Sequence, residues 1–220
     1  MSPKSQVFGK FPYHVKTTEK IVALTFDDGP NEPFTSQIVD FLDNQKIKAS
    51  FFQVGKCVEK FPATTLKIYK SGHTVGIHSL SHKFSKYFTQ PRFRDEINKS
   101  QAIIAEVIGV QPRLFRPPWL WRQPFLLLGL KKLNLQPVSG LFCSNLEVAQ
   151  INAKTIAKHA LAKVRPGAII IFHDGYNSKG GNRSQTVEAV KITVKELQSQ
   201  GYRFVTVDQL LGVEPYSKQD

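Results

Sequence analysis

The sequence predicts an α/β protein: a parallel sheet covered by helices, closed or nearly closed into a barrel of about seven strands, with a doubly wound open sheet as the alternative. Three observations lead there. Short apolar runs alternate with amphipathic stretches from residue 21 to about residue 211, in some seven strand-helix units. Turn residues punctuate the units, as at Gly29-Pro30, Ser71-Gly72 and Pro166-Gly167. A chain of 220 residues, 41% of them hydrophobic, is long enough to bury a single core, because folding at this size hides about 70% of the extended chain's surface. No repeat or linker divides it. Residues 1–18 read as an N-terminal arm, 19–211 as one domain and 212–220 as a C-terminal tail.

Taken in order, Ile21 to Phe26 is an apolar run ending in polar residues and a glycine turn, as a buried strand should. Pro33 to Gln45 reads as a helix, with Ile38, Phe41 and Leu42 at helical spacing and Ser36, Gln37, Asp40 and Asp43 on the wet face. Ala49 to Val54 is the second strand. Pro62 to Lys70 is helical and stops at Ser71-Gly72, and Thr74 to Ile77 is the third strand. Pro91 to Ile108 is a longer helix, followed by a strand end at Leu114 to Arg116. Helix over Gln123 to Leu133 and a weak strand over Gln136 to Phe142 come next. Asn152 to Val164 stacks Ile156, Ala157, Ala160, Leu161 and Val164 on one face and ends at Arg165-Pro166-Gly167. Ala168 to Phe172 is the most strongly marked buried strand. Thr186 to Gln200 carries a stripe of Val187, Val190, Val194 and Leu197. A last strand over Tyr202 to Val207 and a short helix around Leu210 close the domain.

Composition excludes several classes. With 30 basic and 17 acidic residues the net charge is +13, yet the basic residues divide evenly between the two halves, form no block of five, and accompany no zinc-finger, basic-zipper or RNA-recognition pattern. No nucleic-acid partner is expected; a diffuse positive surface suits an anionic polymer such as an acidic cell-wall polymer. The longest apolar stretches fall far short of the ~20 residues of a membrane span, so no span is expected. No basic-then-apolar export segment is read either. Two distant cysteines, Cys57 and Cys143, exclude a disulfide scaffold or a cysteine zinc cage and read as buried free thiols.

In either architecture, the residues that follow the strands converge on one face, so chemistry is sought there. Asp27-Asp28-Gly29-Pro30 follows the first strand. Adjacent carboxylates repel unless a cation intervenes, although Asp-Gly-Pro is also turn chemistry. After the third strand, His78 and His82 at i and i+4 share a face and can share a metal ion. Arg116-Pro117-Pro118-Trp119 ends the next strand, where two prolines hold the backbone stiff and extended. His173 emerges from the Ala168 to Phe172 run, a natural position for an acid/base group. His73 reads as a structural residue, His14 and His159 as surface groups. Each cluster alone has a structural reading; four at four strand ends point to one site.

Thr25-Phe26-Asp27-Asp28-Gly29-Pro30, His78-Ser79-Leu80-Ser81-His82, Arg116-Pro117-Pro118-Trp119 and Ile171-Phe172-His173 together resemble, in order and spacing over about residues 20–210, the motifs of the polysaccharide deacetylases, the NodB-homology group or carbohydrate esterase family four. The resemblance implies a distorted (β/α) barrel and metal-dependent removal of acetyl groups from an N- or O-acetylated carbohydrate polymer or oligosaccharide. It implies Asp28, His78 and His82 as ligands of a divalent metal, zinc first with cobalt or another ion as alternatives. Asp27 is implied as the catalytic base, Arg116 as the residue holding it, and His173 as the acid. The Trp119 backbone amide is implied in oxyanion binding, with Pro118 and Ile171 at the substrate pocket. It also implies an extracytoplasmic location.

The sequence departs from the family pattern in three places. Trp119 and Leu120 replace a tyrosine and a glycine, which suggests a bulkier, more apolar groove wall. The stretch Gly140 to Glu147, where the family places an aspartate supporting the catalytic histidine, contains no aspartate. Either Glu147 or another carboxylate substitutes, or His173 is a weaker acid. A weaker acid would favour an O-acetyl esterase of xylan type, or a catalytically impaired glycan-binding protein, over an N-deacetylase of chitin-oligosaccharide or peptidoglycan type.

Overall fold

The computed structural model describes residues 2, 4–87 and 89–218. In chain order the elements are β1 (Ile21–Asp27), α1 (Phe34–Asn44), β2 (Ser50–Gln53), α2 (Gly55–Lys60), α3 (Pro62–Lys70), β3 (Thr74–Ile77), α4 (Gln90–Ile108), β4 (Gln111–Pro112), β5 (Leu114–Phe115), α5 (Leu126–Lys132), β6 (Gln136–Pro137), β7 (Leu141–Phe142), α6 (Ala153–Leu161), β8 (Ala168–His173), α7 (Ser184–Ser199), β9 (Arg203–Phe204), α8 (Val207–Leu211) and β10 (Tyr216–Ser217). The main sheet runs β6-β5-β3-β2-β1-β8-β7, with β9 beside the start of β1, and every pairing in it is parallel. It curls into a half-barrel with helices outside, the fold class that the strand-helix alternation predicts.

Alternation along each strand explains the layers. Val22, Leu24 and Phe26 of β1, Phe51 of β2, and Ile170 and Phe172 of β8 face the helices in one large core. The residues between them form a second cluster of Ala23, Phe52, Leu114, Val138, Ile169, Val207 and Leu210. They stand on β1, β2, β5 and β8, on the chain just after β6 and on α8, and they meet across the concave interior. Gly76 makes room there, since a Cβ on it would stand 2.8 Å from the Phe52 ring. α8 plugs one end of the interior; the strands' C-terminal ends open at the other.

Three expectations need amendment. The weak strand over Gln136 to Phe142 is in fact β6 and β7, which lie at opposite ends of the sheet, so this stretch crosses the barrel's seam. Ser139 N–H turns away from both edges and donates to the Pro12 carbonyl at 2.7 Å. From Phe11, fully buried, to Val15, bonded to the Gly167 carbonyl, the segment before β1 packs along this seam. The last strand is shorter than expected because the Gln209 carboxamide accepts the Thr206 N–H at 3.1 Å, starting α8 and dropping Val207 into the barrel. α2 was not anticipated; six residues are too few for a helical period to show. At the other end of the chain, β10 pairs antiparallel with β4.

His73 accepts the Ala49 N–H at 3.1 Å, and burial draws its imidazole down to about 4, a neutral structural group. His14 is half-buried with Nε2 2.9 Å from the Pro166 carbonyl. His159 is exposed, 2.9 Å from the Ser144 hydroxyl. Both cysteines are buried and free, and burial pushes the Cys57 thiol up to about 12, which keeps it inert. Among the described residues, no helix is long and apolar enough to cross a membrane.

Candidate active site

The strand alternation that separates the two cores also builds the site. Thr25 and Asp27 follow Ala23 on the inward face of β1, and His173 follows Ile169 and Ile171 on that of β8. Asp27 and His173 are register partners, so a carboxylate and an imidazole leave neighbouring strands at the same level. His78 and Arg116 extend β3 and β5 by one residue. Asp27, His78 and His173 line a cavity of about 420 Å³ together with Asp28, His82 and Trp119, while Thr25 and Arg116 lie buried behind it.

Asp28, His78 and His82 come together, each buried, with one candidate ligand atom apiece and all three atoms within 4.8 Å of one another. Asp28 Oδ1 lies 3.1 Å from His82 Nε2 and 3.4 Å from His78 Nε2. It is buried and accepts no hydrogen bond, the orphaned oxygen that a cation would satisfy. Asp28 Oδ2 accepts the Asn177 N–H at 2.9 Å. His78 Nδ1 lies 2.8 Å from the Arg116 carbonyl. A carbonyl only accepts, so Nδ1 carries the proton and Nε2 presents its lone pair, the orientation that metal-ligating histidines use. Burial pushes the Asp28 carboxyl up, yet the two imidazoles beside it, with the charge of His173, hold it well below the usual range. One carboxylate oxygen and two imidazole nitrogens are the donor set of a catalytic divalent site with positions left open. The residues fit the ion.

Asp27 is 2% exposed and fully buried Arg116 grips it: one guanidinium nitrogen donates to Asp27 Oδ1 at 2.6 Å and to Thr25 Oγ1 at 2.8 Å, the other to the Ser139 carbonyl at 3.0 Å. The Phe52 ring lies 4.1 Å beneath the guanidinium carbon. Asp27 Oδ2 is left facing the cavity side, 4.0 Å from His78 Nε2.

Across the site, His173 Nδ1 is 2.6 Å from Glu147 Oε2, and Glu147 Oε1 accepts the His173 N–H at 3.0 Å and the Thr186 hydroxyl at 2.7 Å. Glu147 is fully buried. Of the alternatives left by the missing aspartate, the first holds: Glu147 supplies the carboxylate. Burial pulls the His173 imidazole down, but the Glu147 carboxylate, helped by Asp28 and Asp27, outweighs it and raises the group to about 9. Glu147 itself is held below its usual value by the same contact. The Phe142 ring lies parallel to the imidazole, 6.0 Å between centroids.

The remaining expected residues divide. Trp119, 39% exposed, stands on the wall with its ring 4.4 Å from that of His82, and Leu120 beside it gives an apolar wall. Pro118 is buried at the start of the 118–120 turn, and Ile171 is fully buried with its side chain under Gly140; neither is among the cavity-lining residues. Phe142 at the end of β7, with Ser144, Asn145, Val148, Tyr176 and Asn177, completes the wall; no motif pointed to Val148, Tyr176 or Asn177, because they enter from segments brought in by the fold. The backbone is held in uncommon states here: Asp28, His82, Trp119, Leu120 and Asn177 all line the cavity and all have φ between 48° and 75°. Such conformations cost about 1–3 kcal/mol each outside glycine and gather where geometry is functional. Gly175 is required alongside them, since a Cβ there would sit 2.3 Å from the Asp28 carbonyl oxygen.

Comparison with known proteins agrees with this geometry. The sequence profile of the polysaccharide deacetylases matches residues 14–138. A peptidoglycan-N-acetylglucosamine deacetylase of Bacillus cereus is 32% identical over 204 residues, 92% of this chain and 93% of the relative. The crystal structure of the Bc1960 peptidoglycan N-acetylglucosamine deacetylase superposes with a TM-score of 0.85 at 29% identity, covering 94% of this chain and 93% of that one. A family four acetyl xylan esterase from Clostridium thermocellum, solved with a cobalt ion, gives 0.78 at 34% identity over 90% and 94%. A profile match that runs through the strand-end carboxylates, both histidines and Arg116, with a relative aligned almost end to end, makes this chain a member of the polysaccharide deacetylase family.

Proposed function

We propose that this protein is a metal-dependent hydrolase removing N-acetyl groups from an amino-sugar polymer or oligosaccharide of peptidoglycan or chitin-oligosaccharide type, outside the cytoplasm where such polymers lie. The observation that carries the reading is the level pairing of Asp27 and His173 beside the Asp28-His78-His82 trio, one held by Arg116 and the other by Glu147. Asp28, His78 and His82 would hold the divalent ion, zinc or cobalt, which supplies Lewis acidity to the acetyl carbonyl and to a water. Asp27 takes the proton of the attacking water on its free oxygen while Arg116 fixes the other. The Trp119 backbone amide donates to the developing oxyanion, a contact worth about 3–4 kcal/mol where it is pre-aimed. His173 gives its proton to the departing amine, and Glu147, bonded at Nδ1, leaves Nε2 to do so.

An amine leaves poorly unless protonated, whereas a sugar alkoxide needs less help. An imidazole raised to about 9 therefore favours amide over ester substrates, and it weighs against both the xylan-esterase and the impaired-enzyme alternatives. The test is acetate release from chitin oligosaccharides, peptidoglycan and acetylated xylan. Release from the amino-sugar polymers should vanish on chelation, return with zinc or cobalt, and be lost in Asp27→Asn. Release that survives both treatments overturns the mechanism, and a strong preference for xylan turns the reading to the esterase.

A further inference from the structure

Beside the catalytic cavity lies a second one of about 510 Å³. The two share Asn145, Val148 and Tyr176, so a substituent on a sugar in the first can enter the second. Its wall holds Arg183, only 2% exposed. Of the five N–H donors of this guanidinium, one reaches the Val148 carbonyl at a long 3.4 Å, and buried Nε has no partner. The guanidinium carbon lies 5.4 Å from the Tyr176 ring centroid. Among the described residues no carboxylate comes within ion-pairing distance of it. Arg116, as deeply buried, shows the ordinary solution: its charge is met by Asp27 and its donors by two further oxygens. Among the described residues Arg183 has no such carboxylate partner. A buried cation with unspent, fork-shaped donors is the usual receptor of a carboxylate.

The surroundings narrow the ligand. Leu146 and Val148, 55% and 44% exposed, put short apolar surface on the same cavity. The first amides of α7 contribute nothing to the charge there, since Ser184 N–H is taken by Asn182 Oδ1 and those of Gln185 and Thr186 by Gln150 Oε1. Cation and alkyl surface together suit a carboxylate on a small apolar stem. We infer that the second cavity binds a carboxylate-bearing substituent of the glycan, so that the substrate is an acidic amino-sugar chain rather than neutral chitin. This rests on the deacetylase reading and deepens it. The carboxylate can be that of a 3-O-lactyl ether on the sugar or that of a peptide attached through it; both present the same group to Arg183.

The experiment uses wild-type protein first. Four substrates are compared: chitotetraose, a tetrasaccharide alternating N-acetylglucosamine with its 3-O-lactyl derivative, the methyl ester of that tetrasaccharide, and the same glycan with its lactyl carboxylate amide-linked to a stem peptide. Expected is a kcat/KM for acetate release at least tenfold higher for the free acid than for its methyl ester, expressed mainly in KM. A peptide-linked substrate preferred over the free acid assigns the site to the peptide carboxylates; the reverse order assigns it to the lactyl group. In Arg183→Gln the acid-to-ester ratio should collapse to about one, and in Arg183→Lys it should be partly kept. A wild type that gains neither from the free acid over its ester nor from the peptide, or a preference unchanged in Arg183→Gln, overturns the inference. Equilibrium binding of acid and ester, measured by calorimetry, separates the two readings: preferential binding without acetate release sinks only the deacetylase assignment, and equal binding sinks only this one.

Discussion

At the scale of single residues, the chemistry depends on who holds each reacting group. His173 stays protonated because Glu147 does, and the sign follows from the raised value. The group is charged below about 9 and loses its proton above it, so kcat/KM on amide substrates should fall on the alkaline side near pH 9. The ion pair's contribution to stability is complete below the ordinary histidine value of ~6.5 and is lost as pH rises through the folded-state value. In Glu147→Gln the main carboxylate is gone and burial is opposed only by the weaker pull of Asp28 and Asp27, so the alkaline limb should move down by one unit or more and amide turnover fall about 100-fold, with a smaller loss on an acetyl ester. A pH profile on both substrates checks this; a limb that stays near 9 would show that Glu147 is not what holds the proton.

At the scale of elements, the site is only as firm as the strands beneath it, and those strands are pinned by helix faces. α7 presses Val187, Val190, Val194 and Leu197 into the core, each at most 2% exposed, and its first turn carries Thr186, which donates to Glu147. Leu197→Ala should cost about 2–5 kcal/mol of folding free energy, the range for a fully buried leucine, in urea unfolding. Because Leu197 lies three helical turns from Thr186, the pH profile of the folded variant should stay as in the wild type. A shifted alkaline limb would mean that α7 transmits core packing to Glu147. The helices with a clear apolar stripe, α1, α6 and α7, were legible within a residue or three of their ends. The seam was not: two-residue strands have no period to read, and Pro137 and Gly140 mark interruption without saying that the chain crosses a gap.

At the scale of the molecule, the charge of +13 acts at a distance where no single residue does. Raising salt from about 0.01 to about 1 M shortens the screening length from about 30 to about 3 Å. Binding to an acidic wall polymer should then weaken at least tenfold, while chitotetraose turnover changes less than twofold, as co-sedimentation and acetate release would record. Equal salt sensitivity of the two would remove the role of the positive surface in capture. The same +13 includes Arg116 and Arg183, which are buried, so net charge counted along the chain does not say where the cations act.

Periodicity and turn residues are local quantities, so they were enough to give the fold class and the side chains that reach the strand ends: Asp27 and His173 close β1 and β8, and Asp28, His78 and Arg116 stand one residue beyond a strand. Tertiary structure alone decided that Glu147, twenty-six residues before His173, is its partner, that Asn177 closes on Asp28, and that Ile171 lies under Gly140 outside the cavity wall. Those are contacts across a curled sheet, between positions whose separation along the chain carries no information about their distance in space.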